Sequence, residues 1–365
     1  AMWIRDHEPE IYQNTYKILN AKDYIVFRLT GKFYTDPSDA NSMDCFDQKT
    51  LNWSDEILQA ARIDRDKLPK IVPSTYCVGK VTPEAAAKTG LSTRTKVIMG
   101  AGDGVAANVG AGSISPGKAF CCLGTSAWVA STSEEPVLDE AMRIVCWAHA
   151  VPGLYSPNGT MQYACGSYSW FKNTIGTAEI LEAKEQGISP YDVLNAKAEK
   201  AAPGANGTIF LPHLLGERAP RWNPYAKGAF LGLTASTTRE ELIRATLEGI
   251  SLNLSVCLDA LNKKKDIDAM TVIGGGAKGE AWCRILADIF EMPVKIPASL
   301  EEAGSMGAAV IAGVGAGIYE NFDAVERFLK IRRTIEPDPD HSKIYRSAKL
   351  QFENYYHALE PFFTA

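Results

Sequence analysis

Histidine is scarce in this 365-residue chain, and none of its eight cysteines form a C-x-x-C pair. The five histidines are as widely scattered as the cysteines, so the ligand spacing of a structural zinc site is absent. A disulfide framework is equally absent, and we expect a reducing, cytoplasmic location. Basic residues are not in excess: the formal net charge is −5, which argues against nucleic acid as a partner.

Long uncharged stretches are also few, and neither of the two we find predicts a membrane span. Residues 145–171 carry prolines, Asn158 and Gln162, which a bilayer core would reject. Residues 303–319 are long enough but include five glycines, so they predict a tightly packed, buried helix. The first residues do not have the pattern of a signal peptide.

The remaining segments alternate in the manner of an α/β protein with two domains. A strand is predicted at the start of KVIMGAGDG (96–104), and a hairpin over 118–132. A long helix is predicted over 236–264, opened by a Thr-x-x-Glu capping box. The small, turn-rich SISPG segment at 113–117 is the best candidate boundary, so the predicted domains are 1–112 and 113–365.

Three glycine-rich turns follow or join apolar runs: GAGDG (100–104), LGTS (123–126) and GGGAKG (274–279). Each alone is weak evidence, because close packing also demands glycine. Together they indicate phosphate handling. In LGTS, outward backbone N–H groups lie beside the hydroxyls of Thr125 and Ser126, and in GGGAKG a helix start offers unpaired N–H groups. Neither matches the Rossmann fingerprint or the P-loop.

Asp103 is the one charged side chain between residues 97 and 112. A carboxylate in a bare glycine turn can approach a small substrate closely. Beside a nucleotide phosphate it could accept the proton of an attacking hydroxyl. The alternative is an aspartate that only caps its own turn through backbone N–H groups.

The segment KGAFLGLTASTTREELIRATLEG (227–249) resembles a signature of the FGGY family of carbohydrate kinases over its full length. GERAP at 216–220 is similar to the family's Gly-Glu-Arg-x-Pro loop, and the order GAGDG, LGTS, GERAP, GGGA is the family's order. The closest likeness is to the xylulokinase branch. The resemblance implies an α/β fold of the actin-like ATPase superfamily, with two ribonuclease-H-like domains facing a cleft, sugar mainly on the first and ATP mainly on the second.

The resemblance also implies roles for individual positions. Asp103 stands at the place of the general base, with Gly104 beside it at the sugar. ATP is expected as the phosphoryl donor, together with Mg²⁺. Two turns, one position near the adenine and one polar residue at the base or ribose are implied to bind the nucleotide: Gly124, Thr125, Gly275, Gly276, Ala277, Gly166 and Glu280.

Two departures from the family pattern matter. No Asp-x-Gly-[Thr/Ser] phosphate loop occurs in the chain, and its start resembles a segment well inside the family's first domain. We therefore expect a fragment whose first domain is incomplete and which is catalytically crippled alone. Gly104 also replaces the asparagine usual in xylulokinases. The sugar thus stays open among xylulose-like ketoses, gluconate, ribulose and fuculose, with a non-catalytic sensor as the other alternative. A homodimer is allowed.

Several prominent residues have simpler interpretations. Glu217 and Arg218 are interpreted as a structural ion pair or loop anchor, and His149 and His213 as packed, hydrogen-bonded histidines. The tryptophans are interpreted either as pocket lining or as core packing: Trp128, Trp147 and Trp170. The aspartates of the loop predicted over 35–47 are interpreted as a solvated or turn-capping set: Asp36, Asp39, Asp44 and Asp47.

Overall fold

The computed structural model describes residues 1–263 and 266–364, and the two parts of the chain differ in how their strands pair. In the first part, strands form only two-stranded pairs: β1 with β4, β2 with β3 and β5 with β6. Its helices are α1 (Met2–His7), α2 (Pro9–Asn14), α3 (Ala21–Thr30), α4 (Pro37–Asn41), α5 (Asp55–Ala61), α6 (Pro83–Thr89) and α7 (Asp103–Gly110). Its strands are β1 (Tyr34–Thr35), β2 (Phe46–Asp47), β3 (Asn52–Trp53), β4 (Lys70–Ile71), β5 (Cys77–Lys80) and β6 (Lys96–Ile98).

In its described residues, the second part of the chain has nine strands, and seven of them form a mixed sheet in the order β15-β14-β13-β7-β8-β10-β9. Its strands are β7 (Ala119–Leu123), β8 (Ala127–Ser131), β9 (Val145–Ala148), β10 (Tyr155–Met161), β11 (Ile209–Leu211), β12 (Ala229–Leu231), β13 (Met270–Ile273), β14 (Val294–Pro297) and β15 (Ile331–Ile335). Its helices are α8 (Cys165–Thr174), α9 (Thr177–Gln186), α10 (Pro190–Ala198), α11 (Arg239–Leu261), α12 (Glu280–Phe290), α13 (Ala303–Ala316) and α14 (Pro339–Leu359).

The sheet places two of the glycine turns side by side. β7 and β8 form the predicted antiparallel hairpin, and β7 also pairs in parallel with β13, opposing Cys122 to Ile273. Parallel neighbours end at the same edge of a sheet. The turn after β7 and the turn after β13 therefore leave the sheet together, although about 150 residues separate them in the sequence.

Helix α11 confirms the predicted long helix and explains its stability. Thr238 caps the first turn through the Glu241 amide, and the Glu241 carboxylate accepts from the Thr238 amide in return. Nearly every residue from Ile243 to Leu261 is buried, so the helix crosses the core rather than lying on it. The last position of the predicted range, 264, lies outside the described residues.

The glycine-rich segment 303–319 contains the predicted packed helix, α13, which lies directly against α7. The expectation that this helix is buried is wrong for its other face, where Ser305, Ala308 and Ala309 are exposed. Within the described part of the chain, no helix combines the length and hydrophobicity needed to cross a bilayer. The polar loop predicted over 35–47 is wrong in part. Asp36 accepts from the amides of Ser38 and Asp39 and so starts the short helix α4.

Candidate active site

A cavity of about 740 Å³ lies between the first part of the chain and the second, and all three glycine turns reach it. Asp103 and Gly104 stand on one wall, and Ser126 and Gly274 on another. Its carboxylates are Asp39, Asp103 and Glu301, and among the described residues that line it Arg218 is the one basic side chain. The structure therefore brings the sequence-predicted sugar residues and phosphate turns to one space.

Asp103 is the first residue of α7, and two hydrogen bonds in series hold the turn that precedes it. The Gly102 amide donates to Ser38 Oγ at 2.9 Å, and Ser38 Oγ donates in turn to the buried Asp36 carboxylate at 2.6 Å. Asp103 itself is exposed to the cavity. Its Oδ1 accepts from the Gly104 amide at 2.7 Å, as the turn-capping alternative requires. Oδ2 has no partner in residues 1–263 and 266–364, and it lies at the first turn of α7.

The two turns predicted to bind phosphate, 123–126 and 274–279, both contact the residues that begin α8. The Cys165 amide donates to the Gly124 carbonyl at 3.1 Å, and the Gly166 amide to the Thr125 carbonyl at the same distance. A Cβ added to Gly276 would lie 2.7 Å from Leu123 Cβ and 3.0 Å from Cys165 Sγ. Glycine is thus required where the backbones meet. The three segments predicted from the sequence to bind the nucleotide therefore lie against one another.

Individual residues of this region differ in what they offer to a ligand. Thr125 and Gly275 are exposed, and a Cβ on Gly275 would meet nothing within 4 Å. Gly166 and Ala277 are buried, and Gly166 is confined by the Tyr163 ring, so packing already accounts for its lack of a side chain. Glu280 pairs with Arg284 and Arg333, and its hydrogen bond with Arg284 holds its pKa below the ordinary value.

Three carboxylates and a lysine form a cluster that sequence reasoning missed. Lys22 Nζ lies 3.0 to 3.2 Å from the carboxylates of Asp23, Asp36 and Asp39. Burial, added to the repulsion of Asp36 and Asp23, raises the pKa of Asp39 to about 6 although Lys22 opposes the shift. Asp103 borders the same cavity as Asp39. Of the two alternatives for these aspartates, the turn-capping one is confirmed for Asp36, which caps α4, and the solvated one is wrong for Asp36 and Asp39.

The packed-histidine interpretations are confirmed. His149 Nε2 lies 3.1 Å from the Ser113 carbonyl, and burial lowers its pKa to about 4. His213 is fully buried, with Nδ1 3.1 Å from Glu217 Oε2. Of the tryptophans, Trp128 and Trp147 line the cavity, whereas Trp170 stacks on Phe210 in the core.

The interpretation of Glu217 as a loop anchor is confirmed, but its pairing with Arg218 is wrong. Glu217 accepts from the Gln162 amide, from the Arg218 amide at 2.9 Å and from Asn253 Nδ2 at 2.9 Å. The Arg218 guanidinium takes no part in this network and lies in the cavity instead. Sequence reasoning missed this role because Arg218 directly follows an acidic neighbour, which made a local pair the simplest interpretation.

The hydrogen-bond donors of these turns fit a nucleoside triphosphate. The turns offer backbone N–H groups, the hydroxyls of Thr125 and Ser126, and a Gly275 face that a Cβ would fill. Within the residues described, no three His, Cys, Asp or Glu side chains are grouped to hold a metal ion.

Comparison with known proteins identifies the class as carbohydrate kinases. The family model for the N-terminal domain of the FGGY family of carbohydrate kinases matches residues 1–110, and the model for its C-terminal domain matches residues 119–316. The chain belongs to the FGGY family of carbohydrate kinases. Kinases of this family use ATP, typically with Mg²⁺. The family resemblance, the two-domain fold and the expected kinase class are thus confirmed.

Relatives and solved structures agree with this placement. A gluconokinase from Bacillus licheniformis is 36% identical over 99% of this chain and 71% of its own length. A xylulose kinase from Bacillus subtilis is 32% identical, over 97% of this chain and 69% of its own. Crystal structures of a xylulose kinase and a gluconate kinase from Lactobacillus acidophilus each superpose with a TM-score of 0.92 at 28% identity, covering 99% of this chain and 72% of theirs.

Proposed function

We propose that this protein transfers the γ-phosphoryl group of ATP to a primary hydroxyl of a small ketose, polyol or sugar acid. The single observation that carries the proposal is the position of Asp103. It heads α7 with one carboxylate oxygen free, and it faces the cavity that the phosphate turns also enter. The substrate class follows the relatives, which are gluconokinases and xylulose kinases.

In the proposed mechanism the substrate hydroxyl lies against Asp103. Asp103 Oδ2 accepts its proton as the oxygen forms a bond to the γ-phosphorus, and the bond from that phosphorus to ADP breaks. Thr125, Ser126 and the exposed backbone of Gly275 position the phosphates. Positioning and charge stabilisation suffice for this chemistry, so no nucleophilic side chain is required.

The remaining assignments belong to the same proposal. Sugar would bind beside Asp103 and Gly104, and nucleotide at Gly124, Thr125, Ser126, Gly166, Gly275, Gly276, Ala277 and Glu280. With the predicted domain division after residue 112, the first set would lie in one domain and the second set in the other. Mg²⁺ would accompany the triphosphate, and a homodimer is allowed.

The test is coupled ADP release by the full natural protein that contains this chain, across ketoses, polyols and sugar acids. Wild type is compared with Asp103→Asn and with Asp44→Asn, an exposed aspartate on another loop. Sugar-dependent turnover should fall about 10²- to 10⁴-fold in Asp103→Asn and stay unchanged in the control. ATP binding without turnover on any sugar would overturn the kinase proposal and favour a nucleotide or sugar sensor.

A further inference from the structure

The Arg218 side chain is a cation without a partner in a cavity of acids. Its guanidinium makes no hydrogen bond or ion pair with any group in residues 1–263 and 266–364, and the side chain is exposed to the cavity. Asp39, Asp103 and Glu301 line the same space. The backbone of Arg218 is held in place on both sides, so its unpaired side chain projects from a fixed position.

The loop that carries Arg218 is tied to the core. The Arg218 amide donates to Glu217, whose side chain is buried and also bound to His213 and Asn253. The Arg218 carbonyl accepts from the amide of Arg221 at 2.8 Å. Before it, Gly216 adopts a φ of +70° and has no room for a Cβ beside Pro224. The chain therefore fixes this position firmly while leaving the five N–H donors of its side chain unused.

The charge of the cavity indicates which kind of ligand Arg218 binds. A γ-phosphoryl group brought to Asp103 adds negative charge to a space that already holds three carboxylates. Phosphoryl transfer spreads that charge over three oxygens, and a planar guanidinium can bind two of them at once. A sugar hydroxyl brings no such charge, and the carboxylate of a sugar acid carries less charge than a phosphoryl group, so the phosphoryl group is the ligand that Arg218 matches best.

We propose that Arg218 binds the transferred phosphoryl group, first as the γ-phosphate of ATP and then as the phosphate ester of the product. This inference deepens the proposed function and rests on it. In the step, the hydroxyl proton goes to Asp103, the new O–P bond forms and the P–O bond to ADP breaks. Arg218 transfers no proton in this step, and its positive charge offsets the negative charge of the phosphoryl group as that group passes from ATP to the substrate.

The first experiment measures nucleotide binding by calorimetry in the presence of Mg²⁺, with ADP and a non-hydrolysable ATP analogue. Wild type is compared with Arg218→Gln, Arg218→Lys and Lys227→Gln, which removes one exposed charge from the same loop. Arg218→Gln should weaken the ATP analogue about tenfold and leave ADP unchanged, because only the former carries the γ-phosphate. Equal weakening of both nucleotides, or of neither, would overturn the proposal.

The second experiment measures turnover on whichever sugar wild type phosphorylates. Arg218→Gln should lower kcat about 10²- to 10³-fold with the sugar KM within about threefold, and Arg218→Lys should recover part of the loss through its charge alone. Unfolding midpoints of the four proteins should agree, which a structural role would not allow. A kcat for Arg218→Gln within threefold of wild type would contradict the assignment.

The two proposals fail in different ways. If wild type phosphorylates no sugar, the proposed function is wrong, yet the difference between ATP-analogue and ADP binding still tests whether Arg218 contacts the γ-phosphate. If wild type turns over a sugar and Arg218→Gln does so equally well, the kinase stands and the role of Arg218 does not. If wild type binds neither nucleotide, both are overturned.

Discussion

Gly110 and Gly307 lie face to face where α7 meets α13. A Cβ added to Gly110 would lie 2.9 Å from the Gly307 nitrogen, and one added to Gly307 would lie 2.8 Å from the Gly110 nitrogen. The two backbones therefore touch without side chains between them. Since Asp103 heads α7, this contact fixes the distance of the candidate base from the second part of the chain.

Gly110→Ala and Gly307→Ala should each push the two helices apart. We expect a loss of about 1–3 kcal/mol in the free energy of unfolding, together with a lower kcat as Asp103 moves. Denaturant unfolding and ADP release check the two effects. Gly304→Ala is the stability control, because a Cβ there meets nothing within 4 Å. Unchanged stability in the two tight variants would show that the helices can separate at no cost.

The raised pKa of Asp39 predicts a pH dependence of stability. A carboxyl whose folded-state pKa lies near 6 binds its proton more tightly when folded than when unfolded, so its contribution to stability falls as pH rises from about 4 to 6. Asp39→Asn removes this loss. Between pH 4 and pH 7 its free energy of unfolding should gain roughly 1–3 kcal/mol relative to wild type.

Unfolding by urea at both pH values measures that difference. Asp44→Asn is a matched control, because Asp44 is exposed and asparagine tolerates its positive φ of 59°. The control should track wild type at every pH. A pH-independent difference between Asp39→Asn and wild type would show that the Asp39 carboxyl titrates normally.

Gly104→Asn tests how the sugar is selected. A Cβ on Gly104 meets nothing within 4 Å, so the substitution should keep the free energy of unfolding within about 0.5 kcal/mol of wild type. The new amide would reach into the cavity beside Asp103. Because xylulokinases usually carry asparagine there, we expect kcat/KM for ketoses to rise about tenfold relative to sugar acids. Gly153→Asn, in an exposed turn with equal space, should leave the ratio unchanged.

Gly275→Ala tests the nucleotide turn. The exposed Gly275 has open space before it, so a methyl group should leave the unfolding midpoint unchanged but block close approach of ADP, raising its Kd about tenfold. Gly274→Ala gives the contrasting case. Its φ is +89° and its Cβ would lie 2.6 Å from the Leu123 carbonyl oxygen, so this variant should lose stability. Unaltered ADP binding by Gly275→Ala would remove this turn from the nucleotide site.

The sequence was most informative where one short segment determines its own geometry. The hairpin around Gly124 and the capping box at Thr238 follow from local rules, and the structure contains both. The convergence of the turns at 123–126 and 274–279 could be predicted only through the family resemblance, because it depends on the parallel pairing of β7 with β13.

Residues whose role depends on distant neighbours were not predictable. Lys22 of α3 meets Asp36 and Asp39, at the start of α4, only through the tertiary fold, and no local spacing indicates this contact. Arg218 illustrates the opposite error. Its acidic neighbour in the sequence suggested a pair, whereas Glu217 turns into the core toward His213 and leaves the arginine free.

The buried Glu217 carboxylate also protects two backbone amide protons from exchange with solvent. The amides of Gln162 and Arg218 both donate to it, and Glu217 is only 5% exposed, so these two protons exchange only when the core itself opens. The Gly104 amide instead donates to exposed Asp103 and exchanges through local fluctuation. In deuterated water we expect the amide protons of Gln162 and Arg218 to persist long after the amide proton of Gly104 is lost.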